Sequence, residues 1–338
     1  MKKKIALKHL IYTVLSGILA CVILIIPLPY EYEAPGKTIP AESVVKVNGG
    51  FTGHSGEFFI TTVLNEQANV LLYINHLLNP DSVIKTLQTA DIPSIGTREY
   101  LCAPLTSDPS DIQTQESVYR AKLFALQKFG YTIPSRFAGV QVTDFFPGSK
   151  AIGILKPGDI ITEIDGVRIR HQVYLYRHIN SLYDKQKVFR VKYIRDGEEH
   201  TSDIEAIKDE SGRISLGIFM QTYMQREDLP VNIEVDTTGY SGSSAGLPIF
   251  LEILHQLKKE DLAKGMKIAA SGSLDEFGNV RSVYGVRFKV KGAEKKGIKY
   301  FICSKWNYEE AKNAAKGINV IPVSDINKAV EEVEKLKN

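Results

Sequence analysis

Residues 239–247 read Gly-Tyr-Ser-Gly-Ser-Ser-Ala-Gly-Leu and run into Ile249, Phe250, Ile253, Leu254 and Leu257, the apolar side of a helix expected over 244–257. A serine at that junction sits beside backbone N–H groups without intrahelical partners, at the positive end of the helix dipole. Such amides can stabilise a developing oxyanion, which makes Ser244 a candidate acyl-transfer nucleophile, with Gly242 and Ser243 as supporting positions in the same loop. Taken alone, a Ser/Gly loop before a helix is commonly no more than a cap.

A second feature supplies a base. Around residues 284–295, Val286, Val290 and Ala293 recur at i, i+4 and i+7 and define a buried stripe. Lys289 shares that stripe, while Arg287, Lys291, Glu294 and Lys295 point elsewhere. An inward lysine loses hydration, so its pKa falls and the neutral amine becomes available near neutral pH. A serine with such a lysine suffices for amide hydrolysis. By itself, Lys289 could instead lay its stem on the core and keep its head in water.

The elements that must carry these groups follow from the pattern. Residues 56–63 read as a strand and 115–130 as a helix, with an unassigned stretch between them marked by Pro80, Pro93, Pro104 and Pro109. From residue 215 strand and helix alternate: strands at 231–235, 267–270, 300–303 and 320–323, helices at 244–257, 286–295, 309–314 and from Asp325, an α/β region.

Between these parts, turns at Pro147-Gly148, Pro157-Gly158, Asp165-Gly166 and Asp196-Gly197 punctuate strand-like runs, with a helix-compatible segment over 172–182. Each turn could stand alone. Their order, however, with Leu155-Lys156-Pro157-Gly158-Asp159-Ile160-Ile161 and Ile164-Asp165-Gly166-Val167, closely resembles a PDZ domain of the bacterial protease type over residues 137–208. The resemblance implies a groove between a strand and a helix that takes an extended peptide by strand addition, with Phe137, Ala138, Gly139 and Val140 as the peptide-binding strand.

Ser243-Ser244-Ala245-Gly246 resembles the nucleophile motif of the Lon-like peptidases, and residues 278–289 followed by Gly297-Ile298-Lys299 match without gaps the segment that bears their catalytic lysine. The chain is most similar to the membrane-anchored branch that carries a PDZ domain. That resemblance places the nucleophile on Ser244 and the base on Lys289, and adds Ser271, in Ala270-Ser271-Gly272, as a supporting contact of the lysine. Ser243 stands where the family usually has proline, and Ser241 where many members have aspartate. The resemblance also assigns the 56–63 strand and the Glu116-Ser117 helix to the protease fold, so that the PDZ-like unit is an insertion.

The implied fold is an α/β (α+β) Lon-type proteolytic domain with an inserted, mainly-β PDZ domain and one N-terminal transmembrane helix. The divisions are a basic tail over 1–8, an anchor over 9–29, a first protease segment over 30–134, the PDZ-like unit over 135–212, and the segment with the dyad over 213–338. Residues 10–28 carry no charge and follow Lys2, Lys3, Lys4 and Lys8, which favours an uncleaved anchor with the remainder extracytoplasmic. A cleaved signal peptide is disfavoured because residues 23–28 continue the apolar run, and a lipoprotein site at Cys21 because no polar tether follows it.

With 42 basic against 39 acidic residues and a net charge of +3, no nucleic-acid footprint is expected. No GxxxxGK[ST] loop is present, so neither nucleotide nor another cofactor is expected. Three cysteines and no HExxH pattern leave no metal motif, with Cys102 and Cys303 the only pair open to the soluble part. The expected function is an ATP-independent serine endopeptidase acting on peptides or unfolded segments, and the resemblance allows a homo-oligomer. The rival readings are a catalytically inactive, membrane-tethered PDZ adaptor and a regulatory subunit of another envelope protease.

Overall fold

The computed structural model describes residues 14–19, 21–86, 109–134, 136–183, 185–208 and 214–337. Residues 14–19 and 21–24 are helical. Among the described residues no helix is long and apolar enough to cross a membrane, and residues 9–13 and 20 of the expected anchor lie outside them. The expected anchor ran to 29, yet the first strand, β1 (Pro27–Pro40), begins at 27, because Pro27 and Pro29 cannot continue a helix.

A short strand, β2 (Val45–Val47), follows, and then β3 (Glu57–Asn69), which pairs antiparallel with β1 from Pro27↔Asn69 to Pro40↔Phe59. Asn69 ends β3 and caps α1 (Val70–Leu78), its side chain accepting from the Leu72 N–H at 2.8 Å. The chain returns as β4 (Val83–Thr86), antiparallel to β1. Helix α2 (Pro109–Phe129) starts ahead of the expected residue 115, since proline is tolerated in the first helical turn.

The second unit comprises β5 (Phe137–Phe145), β6 (Ile160–Ile164), β7 (Val167–Arg168), α3 (Gln172–Leu182), β8 (Val188–Arg195), β9 (Glu198–Glu205), β10 (Ile207–Lys208), β11 (Ile214–Ser215) and β12 (Ile218–Met224). Its main sheet runs β12-β5-β6-β8-β9, every pair antiparallel, with β7 on β6. Asp165-Gly166 and Asp196-Gly197 take positive φ at both positions, as tight hairpin turns require. Val140, Ile161, Ile164, Leu175, Ile179, Phe189 and Val191 form a separate core. The boundary expected at 212 is too early: β12 pairs with β5 from Ile218↔Phe145 to Met224↔Phe137, and the unit closes only there.

The remaining elements are β13 (Ile233–Val235), which pairs with β2, then a 3₁₀ turn (Ser243–Ala245) leading into α4 (Gly246–Leu257), and β14 (Lys267–Ser271). A small hairpin of β15 (Ser273–Leu274) and β16 (Val280–Arg281) precedes α5 (Val286–Lys295), β17 (Tyr300–Ser304), α6 (Tyr308–Ala314), β18 (Asn319–Val323) and α7 (Ile326–Lys335). The large sheet has the order β18-β17-β14-β3-β1-β4, parallel from β18 to β3 and antiparallel beyond. Buried residues of α2, α4 and α7, among them Leu123, Phe250 and Val330, form one core with Ile60, Ile268 and Ile302 of the sheet. Val286, Val290 and Ala293 of α5 and Ala311 of α6 cluster separately with Phe59, Ala269 and Phe301, whose side chains alternate with those three along their strands and so lie on the opposite face. The chain is thus a mixed α/β protein in which segments on either side of the second unit share one core.

Candidate active site

Ser244 lies in the 3₁₀ turn, and three elements hold it there. Gly242 adopts φ 84°, ψ 175°, a conformation that side chains disfavour, so the loop can turn into α4 only with glycine at that position. Helix α2 ties the loop down: Thr114 Oγ1 accepts from the Gly242 N–H at 2.7 Å, and the Ser117 hydroxyl donates to the Ser243 carbonyl at 2.9 Å. The end of β14 closes the third side, with the Gly272 N–H donating to the Ser244 carbonyl at 2.9 Å and the Leu247 N–H donating to the Gly272 carbonyl at 3.0 Å. Gly242→Ala is expected to cost about 1–3 kcal/mol of local strain, released by moving Ser244. On the reading that Ser244 is a nucleophile, peptidase activity should then fall far more than fold stability, whose melting temperature should drop by only a few degrees per kcal/mol.

Lys289 arrives from the opposite side. Gly285, with φ 65°, opens α5 against Val63, where an added Cβ would come within 2.8 Å of Val63 Cγ2, so α5 packs close upon β3. The expected stripe of Val286, Val290 and Ala293 is fully buried, and Lys289 beside it is 4% exposed. Its Nζ donates to Ser244 Oγ at 2.6 Å and to Ser271 Oγ at 3.1 Å. Burial lowers the Lys289 pKa from 10.5 to about 7, because a desolvated ammonium is costly.

Ser271 ends β14 and is fully buried. Its hydroxyl both receives the lysine and points toward the Ser244 carbonyl at 3.5 Å, so it orients the amine between the strand and the loop that carries Ser244. On the reading that Lys289 serves Ser244 as a base, Ser271→Ala is expected to reduce kcat roughly tenfold, the worth of one hydrogen bond to a charged or reacting group, with Ser271→Thr retaining most of it. Steady-state kinetics of both variants test this.

Ser244, Lys289 and Ser271 therefore meet at one point, with Gly242 and Ser243 in the loop beside them. Phe137, Ala138, Gly139 and Val140 do not form an open peptide-binding edge. They lie in β5, between β12, through pairs such as Val140↔Thr222, and β6, through Val140↔Ile161. Gly139 backs onto the Ile161 carbonyl so closely that a Cβ would approach it to 2.6 Å. Strand addition needs an unpaired edge, and the edge next to α3 is β12.

The roles of Thr114 and Ser117 are additions to the sequence reading. The two side chains sit at i and i+3 on one face of α2, a signal that becomes informative only once the loop they grip is known. The contact between the units was equally hidden: His171 Nε2 lies 2.6 Å from Glu276 Oε1, and Phe137 packs edge-on to Phe277, so the β15–β16 turn touches the start of α3.

A second cluster lies at His54, His255 and Asp261, whose donor atoms fall within 4.8 Å of one another. The imidazoles stack at 4.2 Å with 23° between their planes, so their lone pairs run side by side and do not converge on a common point. Burial opposes ionisation of Asp261, but hydrogen bonds from the Gly56 N–H, the Ser55 hydroxyl and the Gly265 N–H together hold its pKa down at about 2. This geometry ties the loop before β3 to the end of α4.

Cys303 is fully buried in β17, where burial pushes its thiol up to about 12. The expectation for Cys102 lies outside the described residues.

Similar solved structures are PDZ domains of short length. The PDZ domain of an SdrC-like protein from Listeria monocytogenes is 24% identical, covering 27% of this chain and 93% of that one, with a TM-score of 0.22. The PDZ domain of an SdrC-like protein from Listeria innocua is 27% identical, covering 25% of this chain and 96% of that one, with a TM-score of 0.22. No family model and no curated protein matches the chain. At such TM-scores the likeness carries no argument about architecture, which stands on the strand pairing and cores described above.

Proposed function

We propose that the chain is an ATP-independent serine endopeptidase of the Lon-like kind, with Ser244 as nucleophile and Lys289 as general base. The observation that carries this reading is the 2.6 Å contact between Lys289 Nζ and Ser244 Oγ, made by a lysine whose pKa burial brings down to about 7. When the amine is protonated it donates to Oγ. Once it has lost a proton the bond reverses, and the Ser244 hydroxyl donates to Nζ.

Oγ then attacks the scissile carbonyl carbon and its proton passes to Nζ. The oxyanion is held by backbone N–H groups at the start of the 3₁₀ turn. Collapse of the tetrahedral intermediate expels the amine, which takes the proton from Nζ, and water hydrolyses the acyl-enzyme by the same base.

The second unit serves as a PDZ-like peptide holder, its groove running between β12 and α3. Part of that edge is already engaged, since Arg120 Nη2 of α2 donates to the Thr222 carbonyl at 2.7 Å. Peptide is therefore expected along the Ile218–Gln221 part of β12. The apolar N-terminal segment anchors the chain in a cell membrane with both units on the outer face, as the basic flank directs. Without an ATPase to unfold proteins, the substrates are short peptides or flexible segments.

The test is cleavage of a casein-type unfolded substrate by the detergent-solubilised full chain, compared with Ser244→Ala. Equal rates would refute the dyad. An inactive wild type that still binds peptide through β12 and α3 would establish the adaptor reading in its place.

A further inference from the structure

Helix α1 reads Val-Leu-Leu-Tyr-Ile-Asn-His-Leu-Leu and buries none of its residues. Leu71, Ile74 and Leu78 share one outward face at i, i+3 and i+7, with Leu77 beside them, and Leu77 and Leu78 are 70% and 79% exposed. The polar side chains are spent on the protein instead: Asn75 Oδ1 accepts from the Tyr32 hydroxyl at 2.6 Å, and His76 Nδ1 lies 3.0 Å from Ser82 Oγ. Leu72 packs inward, on the small cluster of Tyr32, Ala34 and Ala68, and the Tyr73 ring lies 6.1 Å from that of Tyr30 at the same cluster. A helix on a water-facing surface shows the opposite arrangement, with its apolar stripe on the core.

The surroundings of α1 say what covers it. Its cap, Asn69, pairs with Pro27 at the start of β1, and the Val70 N–H donates to the Ile26 carbonyl at 3.3 Å. The helix therefore begins where the N-terminal apolar segment enters the fold. In that segment Val14, Leu15, Ile18, Leu19, Ile25 and Ile26 are exposed as well, so exposed apolar side chains lie on both sides of the junction at Ile26 and Val70.

We infer that α1 lies in the membrane interface, its Leu71, Ile74, Leu77 and Leu78 face covered by acyl chains as a second contact beside the anchor. This inference rests on the anchor reading given above. The β1–β3 arm then stands away from the bilayer, and α5, which starts against Val63, meets that arm roughly 20 Å from its membrane end at about 3.4 Å per residue. The dyad would be held near the surface, where flexible segments of membrane-bound proteins and peptides close to the lipid can reach it.

The test uses the full chain with Cys21, Cys102 and Cys303 replaced by serine or alanine and a single cysteine introduced as Leu77→Cys. A polarity-sensitive fluorophore is attached there, and the protein is reconstituted into phosphatidylcholine/phosphatidylglycerol vesicles, with Val167→Cys on the second unit as control. Support is co-flotation with the vesicles, a blue-shifted probe at 77, and a roughly twofold loss of its emission with shallow nitroxide lipid, since an interfacial helix buries ~5–10 Å deep. The control stays wetted and unquenched.

Co-flotation with a wetted probe at 77 overturns the inference and leaves the anchor standing. A dry probe that lipid nitroxides do not quench, accompanied by cross-linking between copies through residue 77, overturns it in favour of a second copy. Failure to float overturns inference and anchor together.

Discussion

Ser244→Ala and Lys289→Ala are each expected to lower kcat by roughly 10⁴-fold or more, with KM changed little, because in the proposed dyad a nucleophile and its base act as one unit. The double variant should be no worse than either single one, since removing one partner already disables the other. Lys289→Arg should be as inactive as Lys289→Ala. A guanidinium does not deprotonate at accessible pH, so it cannot accept the Ser244 proton however well it fills the space. The measurement is hydrolysis of an unfolded substrate under single-turnover and steady-state conditions, with circular dichroism to confirm folding. An Arg variant with more than a small fraction of wild-type activity would show that the base is another group, and the Lys289 assignment would fall.

The second large effect is the dependence on pH. Because the reactive form is the neutral amine and its pKa is about 7, kcat/KM is expected to fall about tenfold per pH unit below that value and to level off above it. An ordinary lysine at 10.5 would instead leave activity climbing steeply beyond pH 9. The same shift acts on stability with a definite sign. The folded-state pKa lies below the unfolded one, so between about 7 and 10.5 the unfolded chain binds the extra proton and stability rises with pH; below about 7 the destabilisation is present in full.

Lys289→Met removes that cost and leaves a stem of similar length in the same apolar stripe. It is expected to raise stability at pH 7 by on the order of 2 kcal/mol, less than the full linkage because Ser244 and Ser271 lose a partner. Denaturant midpoints at pH 6, 7.5 and 9 check this, and the gain over wild type should shrink as pH rises. A gain that does not change with pH would mean that Lys289 is neutral throughout or is not desolvated.

What could be read from the chain alone was whatever is encoded by local spacing. The 3.6-residue stripe of α5 put Lys289 on the buried face, and the Gly/Ser run before α4 put Ser244 at a helix start. The turn dipeptides Asp165-Gly166 and Asp196-Gly197 marked hairpins, and helix α3 was expected over the same residues that form it. Each of these depends on neighbours within a few positions, where φ preference and side-chain direction decide the outcome.

What needed the tertiary structure was every relation between distant segments. Sheet order made β12, and not the strand with Phe137 and Val140, the open edge beside α3, because which strand lies outermost depends on pairing between residues about 80 positions apart, as in Thr222↔Val140. Thr114 and Ser117 became supports of the Ser244 loop only when α2 packed against it, and α1 revealed its outward leucines only once β1 and β3 had fixed its inner side. The sequence by itself determined which residues could do chemistry and on which faces of their own elements they lie. The distance of 2.6 Å between Ser244 and Lys289, and the burial that brings the amine toward neutrality, were decided by packing α4, β14 and α5 together, because desolvation is a property of the assembled core and not of any one segment.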